Sequence, residues 1–419
     1  MEKMMGVGRP EAPTLERMAR LVSSMGDPQR AAPVIHITGT NGKGSTAQMA
    51  TRLLMAQGLT VGTYTSPHLE RINERMTRNG EPIDDQDFAD QIAAIADLEM
   101  LAGVQPSWFE IVTAAAFRWF ADIAVDVAVL EVGLLGRWDA TNVADGQVAV
   151  VTNVGMDHQE LAGPTRAHIA REKAGIVKPG ATLVLGETDP ELVAIFRAEE
   201  PAIVWERDHD FGAVENQLAL GGRMLDLRAP YGSYAEVFLS LHGRHQGDNA
   251  AVAVTAVESF FESALDIEVV REAFADIRIP GRFEVLGHQP LVIIDGAHNP
   301  AGADMCAMVM AEDFAPVGNE ILVVGFLRGR DPTEMLSALR ADEATWVICC
   351  TPPSPRGIPA EETAAAARAL GCDNVLVVAD VARACDAALV RATADDSVLV
   401  TGSLYVVGAA RPHLQHVLG

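Results

Sequence analysis

Short apolar runs alternate with amphipathic stretches along the first half of the chain, a pattern that predicts a mixed α/β fold. The runs VIHI, VDVAVLEV and VAVVTNV have the length and valine content of buried parallel strands. Residues 14–25 and 108–120 repeat apolar positions at helical spacing. The first run leads through a glycine-rich turn into a helix that ends near Gln57, capped by Gly58, and residues 59–65 complete a βαβ unit.

Two later segments of this half break the pattern. Residues 66–83 (SPHLERINERMTRNGEPI) are polar with little periodicity, which indicates a functional loop rather than core. From about residue 202 to 242, alternating segments flank a Gly-Gly turn in LALGGRMLDL, which predicts a hairpin in a small antiparallel insertion. A helix is predicted over residues 249–261, with Asn249 at its start as a candidate N-cap.

The alternation begins again near residues 280–282. Five apolar runs then alternate with alanine-rich helical stretches, at residues 291–294, 321–324, 346–350, 375–378 and 398–400. This predicts a second doubly wound α/β domain, without a glycine-rich phosphate loop of its own. We therefore expect an α/β fold in two parts. Residues 1–284 form an N-terminal P-loop-type doubly wound domain with a small antiparallel β insertion, and residues 285–419 form a smaller, Rossmann-like C-terminal domain.

Composition narrows the class of protein. Of the 419 residues, 49% are hydrophobic, enough for the cores of two or three domains. No apolar run approaches the ~20 residues that span a membrane, and MEKMMGVGRPEAP lacks the apolar segment of a signal peptide. The five cysteines show no C-x-x-C spacing, which is typical of a reduced, cytoplasmic protein without a disulfide framework or zinc site. The net charge of −25 opposes binding to nucleic acid or anionic membranes.

The segment VIHITGTNGKGST (residues 34–46) has the most informative pattern in the chain. A strand, a glycine-rich turn and a helix are the context in which backbone N–H groups wrap an oligophosphate. Lys43 adds a positive charge for the outer phosphates, and Ser45 or Thr46 adds a hydroxyl for a bound metal ion. Gly44 departs from the usual G-x4-G-K-[ST] spacing, so a glycine-rich turn that binds nothing is the alternative. Only four of the 32 basic residues are lysine, which favours a specific role for an ammonium group in the loop.

Polar residues follow several predicted strands, at the edge where ligands bind in open α/β sheets. Ser66 follows the second strand, and Glu131 closes the apolar run VAVLEV. Asp157 and His158 follow VAVVTNVG. A carboxylate, an imidazole and a hydroxyl beside a phosphate loop predict a divalent-cation site. Because Mg²⁺ prefers oxygen ligands, a neutral His158 that caps a loop is the alternative for that residue.

Three further residues have both structural and functional explanations. Lys173 lies in AREKAGIVKPG at the end of a helix that begins near Pro164, where a solvated helix lysine is the simpler interpretation. Arg282 and Asp295 lie on either side of the expected domain boundary. Arg282 could reach a phosphate and Asp295 ends a strand, but each taken alone is better explained as structural.

Ten segments in order resemble the signatures of folylpolyglutamate synthase and dihydrofolate synthase, a branch of the Mur ligase superfamily. They are HITGTNGKGST, TSPHLERINER, FEIVTAAAF, EVGLLGRWDATN, NVGMDH, REKAGIVKPG, HQGDNAAVA, PGRFEV, DGAHNP and TGSLYVVG. The similarity extends over about residues 14–411. It implies an ATP-dependent, ADP-forming amide ligase that adds L-glutamate to a folate or dihydropteroate carboxylate with Mg²⁺ as its cofactor.

The resemblance also implies roles for individual residues. It assigns nucleotide binding to Gly39, Thr40, Asn41, Gly42, Lys43, Gly44, Ser45, Asn249, Arg282 and Asp295. It assigns Mg²⁺ binding to Ser66, Glu131 and His158. The pterin-side substrate is assigned to Trp108, Phe109, Glu110, Trp138, Asp139 and Ala140. Lys43, His158 and Lys173 are then the catalytic set, and Lys173 stands where the family has a carbamylated lysine. A carbamate would explain why arginine does not occupy that position.

Three positions depart from the family pattern without removing a phosphate or metal residue. Leu135 stands where glycine is usual in EVGLGGR, a change that could stiffen or reshape the turn facing the pterin. Ile279 replaces a common tryptophan before PGRFEV, and Arg330 replaces lysine in GFLRGRD. These differences leave the choice between dihydropteroate and reduced folates open, and we expect a bifunctional, monomeric enzyme.

The implied reaction activates the folate carboxylate as an acyl phosphate, which the glutamate amine then attacks; His158 or solvent would accept the amine proton. Closure of the two domains would keep water from the acyl phosphate. Another Mur-type ligase is a competing interpretation, but only 38 residues precede Gly39, too few for a separate UDP-binding domain. A GTPase would need an N-K-x-D segment, and a dehydrogenase G-x-G-x-x-G, neither of which we find. A non-catalytic ATP-binding scaffold also stays open.

Overall fold

The computed structural model describes residues 14–157 and 159–419, which fold into two compact units. The first unit contains the described residues up to Ala219 together with Met224–Leu239 and His245–Ile277. The second contains Arg278–Gly419 together with Leu220–Arg223 and Ser240–Arg244. The functional division of the chain at residue 284 stays a prediction.

An eight-stranded sheet forms the centre of the first unit. Its strands are β1 (Val34–Thr38), β2 (Val61–Tyr64), β3 (Met76–Arg78), β4 (Glu81–Pro82), β5 (Val127–Glu131), β6 (Val148–Val151), β7 (Thr182–Leu185) and β8 (Ile203–Glu206), in the order β4-β3-β2-β5-β1-β6-β7-β8. The strands from β2 to β8 in this order pair in parallel, and β3 and β4 add an antiparallel edge. Every residue of β1 and β5 is buried, which explains their continuous apolar sequence.

Helices follow the strands and supply the rest of the core of this unit. They are α1 (Glu16–Ser24), α2 (Lys43–Ala56), α3 (Asp85–Ala102), α4 (Trp108–Asp122), α5 (Gln159–Ala162), α6 (Arg166–Ala174), α7 (Pro190–Arg197), α8 (His245–Phe261) and α9 (Ile267–Ala275). Polar caps fix several of their starts: Ser107 accepts a hydrogen bond from the Glu110 N–H at α4, and Thr165 accepts one from the His168 N–H at α6. One hydrophobic cluster contains residues of α1 and α4, and another contains residues of α6 and α7.

A separate three-stranded sheet contains β9 (Gly212–Ala219), β10 (Gly222–Arg228) and β11 (Ser233–Leu239), in the order β11-β10-β9. Two residues join β9 to β10, a link short enough only for an antiparallel hairpin, so the Gly-Gly turn prediction is confirmed. The predicted start of this insertion near residue 202 is wrong, because β8 pairs in parallel with β7 in the main sheet.

Two other predictions for the first unit need correction. The polar stretch 66–83 is a loop only in its first part, since it continues into the 3-10 helix Ile72–Arg75 and then into β3 and β4. Helix α3 was not predicted from the sequence. Helix α8 begins at His245 rather than at residue 249, so Asn249 lies inside the helix and is not its N-cap.

The second unit contains a six-stranded sheet with helices between its strands. The strands are β12 (Glu284–His288), β13 (Leu291–Ile294), β14 (Glu320–Val324), β15 (Trp346–Cys349), β16 (Val375–Val377) and β17 (Ser397–Thr401), in the order β12-β13-β17-β14-β15-β16. The helices are α10 (Pro300–Val309), α11 (Pro332–Ala338), α12 (Ala360–Leu370), α13 (Val381–Arg391) and α14 (Leu404–Leu418). All five predicted strands are present and parallel, and β12 adds an antiparallel edge. The predicted α/β fold class is therefore confirmed.

Two findings bear on the expected environment of the protein. The five cysteines are all buried and free of disulfide bonds. In residues 14–157 and 159–419, no helix combines the length and the apolar character that a membrane crossing requires.

Candidate functional site

The glycine-rich loop lies between β1 and α2, at the carboxyl edge of the central sheet strands. Gly42 is the residue before α2 and takes the left-handed conformation, with φ +83°. A side chain there would also collide with Asn249, whose Oδ1 would lie 2.4 Å from the added Cβ. Gly42 is therefore required both by its backbone conformation and by the close approach of α8. The backbone enters α2 directly behind it, which leaves the N–H groups of the first helical turn for an anion.

The segment after β6 holds this loop in place. The Thr40 N–H donates to the Asn153 carbonyl at 3.0 Å, and the Asn41 N–H donates to Asn153 Oδ1 at 3.0 Å. The Thr152 hydroxyl donates to the Asn41 carbonyl at 2.6 Å. Sequence reasoning did not single out Thr152 or Asn153, although Asn153 opens the segment NVGMDH. The loop geometry thus depends on side chains more than 100 residues away in the chain.

Two lysines converge on one carbonyl of the loop. Lys43 Nζ donates to the carbonyls of Gly39 and Thr40 at 3.1 and 3.2 Å. Lys173 Nζ donates to the same Gly39 carbonyl at 2.6 Å. Lys173 is only 4% exposed, so its interpretation as a solvated helix lysine is wrong. Burial, and next the charge of Lys43, lower the pKa of Lys173 well below its usual value, while Asp157 acts in the opposite direction.

A carboxylate lies opposite the start of α2. Glu131, at the end of β5, is 5% exposed, and its Oε2 accepts a hydrogen bond from the Ser66 N–H at 3.0 Å. A Cβ added to Gly44 would lie 3.5 Å from the same oxygen. The structure therefore brings Glu131, Ser66 and the first turn of α2 together. Asp157 is also buried. His158 lies outside the described residues.

The donor set here fits a magnesium ion. Thr46 Oγ1, near the start of α2, is buried and has no hydrogen-bond partner among the described residues, so it offers an oxygen donor in addition to the Glu131 carboxylate and Ser66. Oxygen ligands are those that Mg²⁺ prefers, and it commonly takes one or two carboxylates and completes its shell with phosphate and water. Within residues 14–157 and 159–419, no cluster of three or more His, Cys, Asp or Glu could hold a metal.

Asn249 belongs to the same site, although it is not the cap that its position suggested. It is buried inside α8, and its Nδ2 donates to Gln246 Oε1 at 3.0 Å. Because α8 packs on α2, the Asn249 side chain lies directly beside Gly42.

Aromatic residues at the start of α4 lie next to the turn that follows β5. A Cβ added to Gly133 would lie 2.3 Å from the Phe109 ring, so the ring packs on this backbone. The Phe109 and Tyr64 ring centroids are 6.1 Å apart. The Arg75 guanidinium lies over the Trp108 ring, 4.7 Å from its centroid. Trp138 is 45% exposed and presents an aromatic surface to solvent.

The other residues predicted on the substrate side make structural contacts. Glu110 forms a capping box with Ser107 and an ion pair with Arg17, whose Nη2 lies 3.2 Å from the carboxylate. Asp139 accepts hydrogen bonds from the N–H of Thr141 at 3.0 Å and of Leu134 at 2.9 Å. Burial raises the pKa of Asp139, and these hydrogen bonds act in the opposite direction. Ala140 is buried and opens the 3-10 helix Ala140–Val143. A substrate role for these residues stays a prediction.

Leu135 keeps the backbone conformation for which glycine is suited. Its φ is +59°, in the left-handed region, and its carbonyl accepts a hydrogen bond from the Thr38 hydroxyl at 2.5 Å. The next residue, Gly136, packs on the end of α6, where an added Cβ would lie 2.9 Å from the Glu172 carbonyl. The leucine therefore adds strain and a side chain at this turn while its backbone remains in a conformation that glycine favours.

Arg282 and Asp295 belong to the second unit. The Asp295 carboxylate accepts hydrogen bonds from the Phe283 N–H at 3.1 Å and the Ala297 N–H at 2.9 Å. Burial raises the pKa of Asp295, and the charge of Arg282 opposes that rise. The two side chains thus interact within one unit, while the other predicted site residues that the structure describes lie in the first unit.

Comparison with known proteins gives consistent matches over the whole chain. Residues 108–257 match the Mur ligase middle domain, and residues 281–404 match the Mur ligase glutamate ligase domain. The chain is 38% identical to the dihydrofolate synthase/folylpolyglutamate synthase of Mycobacterium tuberculosis, over 95% of this chain and 89% of that protein. It is 34% identical to the Escherichia coli protein of the same name, over 94% and 89% of the two chains.

Solved structures give the same picture. Mycobacterium tuberculosis folylpolyglutamate synthase complexed with ADP is 37% identical, with a TM-score of 0.91 over 96% of this chain and 95% of that chain. Escherichia coli FolC in complex with DHPP and ADP is 32% identical, with a TM-score of 0.86 over 98% and 94%. The Yersinia pestis bifunctional enzyme with Mn, AMPPNP and L-glutamate bound is 30% identical, with a TM-score of 0.87 over 98% and 96%.

Proposed function

The chain belongs to the dihydrofolate synthase/folylpolyglutamate synthase family of Mur ligases, and on this premise we propose that it joins L-glutamate to the carboxylate of dihydropteroate or of a reduced folate, with ATP converted to ADP and phosphate. The observation that carries the proposal is the convergence of Lys43, Lys173 and Glu131 around one glycine loop. That arrangement places two amines and a carboxylate where an oligophosphate and its counter-ion would bind.

ATP is the nucleotide that we assign to the loop. Gly39–Ser45 surround the phosphates, and Asn249 stands against Gly42 from the opposite side. Structures of relatives in complex with ADP and with AMPPNP support this assignment. Since the chain has a net charge of −25, Lys43 supplies local positive charge that the rest of the protein opposes. Arg282 and Asp295 are further nucleotide contacts that we propose, and Asp295 is the one contributed by the C-terminal domain.

Mg²⁺ is the divalent ion that we assign to the site, a choice that a related structure with Mn bound supports. Glu131, Ser66 and His158 would hold it, together with a hydroxyl from Ser45 or Thr46. When bound, such an ion neutralises charge on the phosphates during transfer. The residues of the chain then have the separate task of orienting the phosphate oxygens: the backbone N–H groups at the start of α2 bind them, and Lys43 binds the outer group.

Lys173 is suited to carbamylation. Formation of a carbamate needs the neutral amine, whose nitrogen lone pair forms a bond to the carbon of CO₂ while one proton is released. Burial and the neighbouring charge of Lys43 favour that neutral form. The carbamate would keep one N–H to donate to the Gly39 carbonyl, and its new carboxylate would add oxygen donors to the site. An arginine cannot lose its proton under these conditions, so it cannot replace Lys173.

The amide bond forms in two steps. The folate carboxylate attacks the γ-phosphate of ATP and becomes an acyl phosphate, and ADP leaves. The glutamate amine then attacks the acyl carbon and phosphate leaves, with the amine proton accepted by His158 or by solvent. Trp108, Phe109 and Trp138, together with Glu110, Asp139 and Ala140, form the pterin-side surface that we propose.

Organisation and environment complete the proposal. We assign ATP and metal binding to residues 1–284 and glutamate ligation to residues 285–419, in agreement with the position of the glutamate ligase domain at residues 281–404. We further propose a monomeric, cytoplasmic enzyme whose partners are small molecules and neither nucleic acid nor membrane.

Phosphate release tests the function directly. Purified protein with ATP, Mg²⁺ and L-glutamate should release phosphate only when dihydropteroate or tetrahydrofolate is added, and mass spectrometry should find the product one glutamate heavier. We expect activity with both pterins, as in a bifunctional enzyme. Release that requires a different amino acid would indicate another Mur-type ligase. ADP binding without turnover for any pterin and glutamate pair would indicate a non-catalytic nucleotide-binding protein.

A further inference from the structure

One ion pair satisfies both backbone polar groups of Val154, three residues before Asp157. The Val154 N–H donates to Glu187 Oε2 at 2.8 Å, and Arg166 Nε donates to the Val154 carbonyl at 2.8 Å. Arg166 Nη2 also donates to Glu187 Oε2 at 2.9 Å. Val154 itself is buried, so its backbone groups need partners inside the protein. Hydrogen bonds to charged groups are stronger than those between neutral groups, so this is a firm attachment of the segment.

The two neighbours of Val154 are attached to the glycine loop instead. The Asn153 carbonyl accepts from the Thr40 N–H at 3.0 Å. The Gly155 N–H donates to the Thr40 hydroxyl at 2.8 Å. Three consecutive residues are therefore held in alternation, two by the phosphate loop and the central one by Arg166 and Glu187.

The pair is in turn fixed to the surrounding elements. Glu187 is buried and follows β7, and its second oxygen accepts from the N–H groups of Thr188 at 3.1 Å and Asp189 at 3.0 Å. Gly186 fits closely against the same segment, because an added Cβ would lie 2.3 Å from the Thr152 carbonyl. Arg166 is the first residue of α6, and Lys173 lies near the end of that helix. The pair thus connects β7 and α6 to the backbone that leads into Asp157.

From these contacts we infer that Arg166 and Glu187 are positioning residues. They hold residues 153–157 against the glycine loop and thereby place the buried carboxylate of Asp157, a candidate for the cation site from the sequence, for the metal-dependent part of nucleotide binding. The inference rests on the proposed function. Neither side chain needs to touch the nucleotide or the ion, since both act through the Val154 backbone. If the ion pair only stabilised the fold, its removal would lower the stability of the protein but would not change the gain in ADP affinity that Mg²⁺ provides.

Calorimetry on the full-length protein separates these two roles. The affinity for ADP is measured with and without Mg²⁺ in the wild type and in Arg166→Gln and Glu187→Gln. We expect the gain in ADP affinity that Mg²⁺ provides to fall about 10-fold or more, the usual effect of removing a residue that orients metal ligands. Metal-free ADP affinity should fall less. Arg166→Lys keeps the charge but loses the planar group that contacts Val154 and Glu187 together, so it should give an intermediate loss.

A second ion pair in the same unit provides the matched control. Arg197 Nη2 lies 2.6 Å from Glu206 Oε1, and the Arg197 side chain is 59% exposed. Arg197→Gln should leave the Mg²⁺-dependent gain unchanged. Thermal unfolding shows whether each variant is folded. If the glutamine variants do not fold, the comparison is made with Arg166→Lys instead. Variants that melt earlier but keep the wild-type gain would overturn the inference alone. A wild type without Mg²⁺-dependent ADP binding would overturn the proposed function as well.

Discussion

The strain at Leu135 can be measured by comparing glycine and alanine at that position. Leu135 has a φ of +59°, and its side chain is partly buried against a hydrophobic cluster that includes Val132 and Val154. Both Leu135→Ala and Leu135→Gly remove that packing. Only the glycine variant also relieves the left-handed conformation. The difference between the two variants therefore isolates the backbone strain from the lost apolar contact.

The expected magnitude follows from two opposing effects. A residue with a Cβ in the left-handed region costs roughly 1–2 kcal/mol. Glycine costs about 0.5–1 kcal/mol relative to alanine through its greater freedom in the unfolded chain. The glycine variant should therefore have the larger free energy of unfolding, by about 0.5–1 kcal/mol. For a domain of this size that corresponds to a Tm difference of about 1–4 °C.

Thermal unfolding of both variants is the assay, and the adjacent residue supplies the control. Leu134 is also a leucine of the same turn, but it is not among the residues with positive φ. Leu134→Ala should therefore be more stable than Leu134→Gly, the reverse of the order at 135. The same order at both positions, with alanine above glycine, would refute the strain argument.

The remaining predictions concern the two lysines and the metal carboxylate. Lys43→Ala should reduce phosphate release by about 100-fold or more, as expected when a group that stabilises transferring charge is lost; wild-type ADP formation would contradict its role at the phosphates. Lys173→Ala should lose most activity and regain part of it with added acetate, whereas a fully active Lys173→Arg would rule out the carbamate. Folding lowers the pKa of Lys173, so the unfolded chain binds more protons at any pH between the folded and the ordinary pKa. The free energy of unfolding should therefore rise with pH across that interval in bicarbonate-free buffer. Lys173→Met should remove this rise. Glu131→Gln can still accept from the Ser66 N–H, so it should keep its stability but need a higher Mg²⁺ concentration for half-maximal phosphate release.

Most strands with a continuous apolar run were predictable, although the buried strand β7 was missed. The five parallel strands of the second unit agree with their apolar runs, and β13 agrees at both ends. The missed strands β3, β4 and β12 lie at the antiparallel ends of their sheets and are partly exposed, so burial leaves no continuous apolar signal in their sequence. The early start of α8 was also missed, because polar residues at the head of a helix resemble a loop when its packing on α2 is unknown.

The phosphate loop was predictable from local sequence, but its supports were not. Strand, glycines and helix occupy consecutive residues, so their pattern is visible in one segment. Asn153, Arg166 and Glu187 act on the loop through hydrogen bonds between distant parts of the chain. Each of these residues alone is an ordinary polar residue after a strand or at a helix start. The family resemblance named the segment around Asn153, but it did not indicate what the side chain does.

Lys43 and Lys173 both donate to the Gly39 carbonyl, and this contact explains why lysine suits the two positions better than arginine. Two ammonium groups on one carbonyl repel each other, and the more buried group pays the larger desolvation cost. Lys173 is the buried one, so burial and the neighbouring charge of Lys43 drive Lys173 toward the neutral amine. Arginine could not yield its proton in either position, and both guanidinium groups would stay charged. Two of the four lysines of the chain thus lie at one carbonyl, where an amine that can give up its proton suits position 173 in a way that a guanidinium would not.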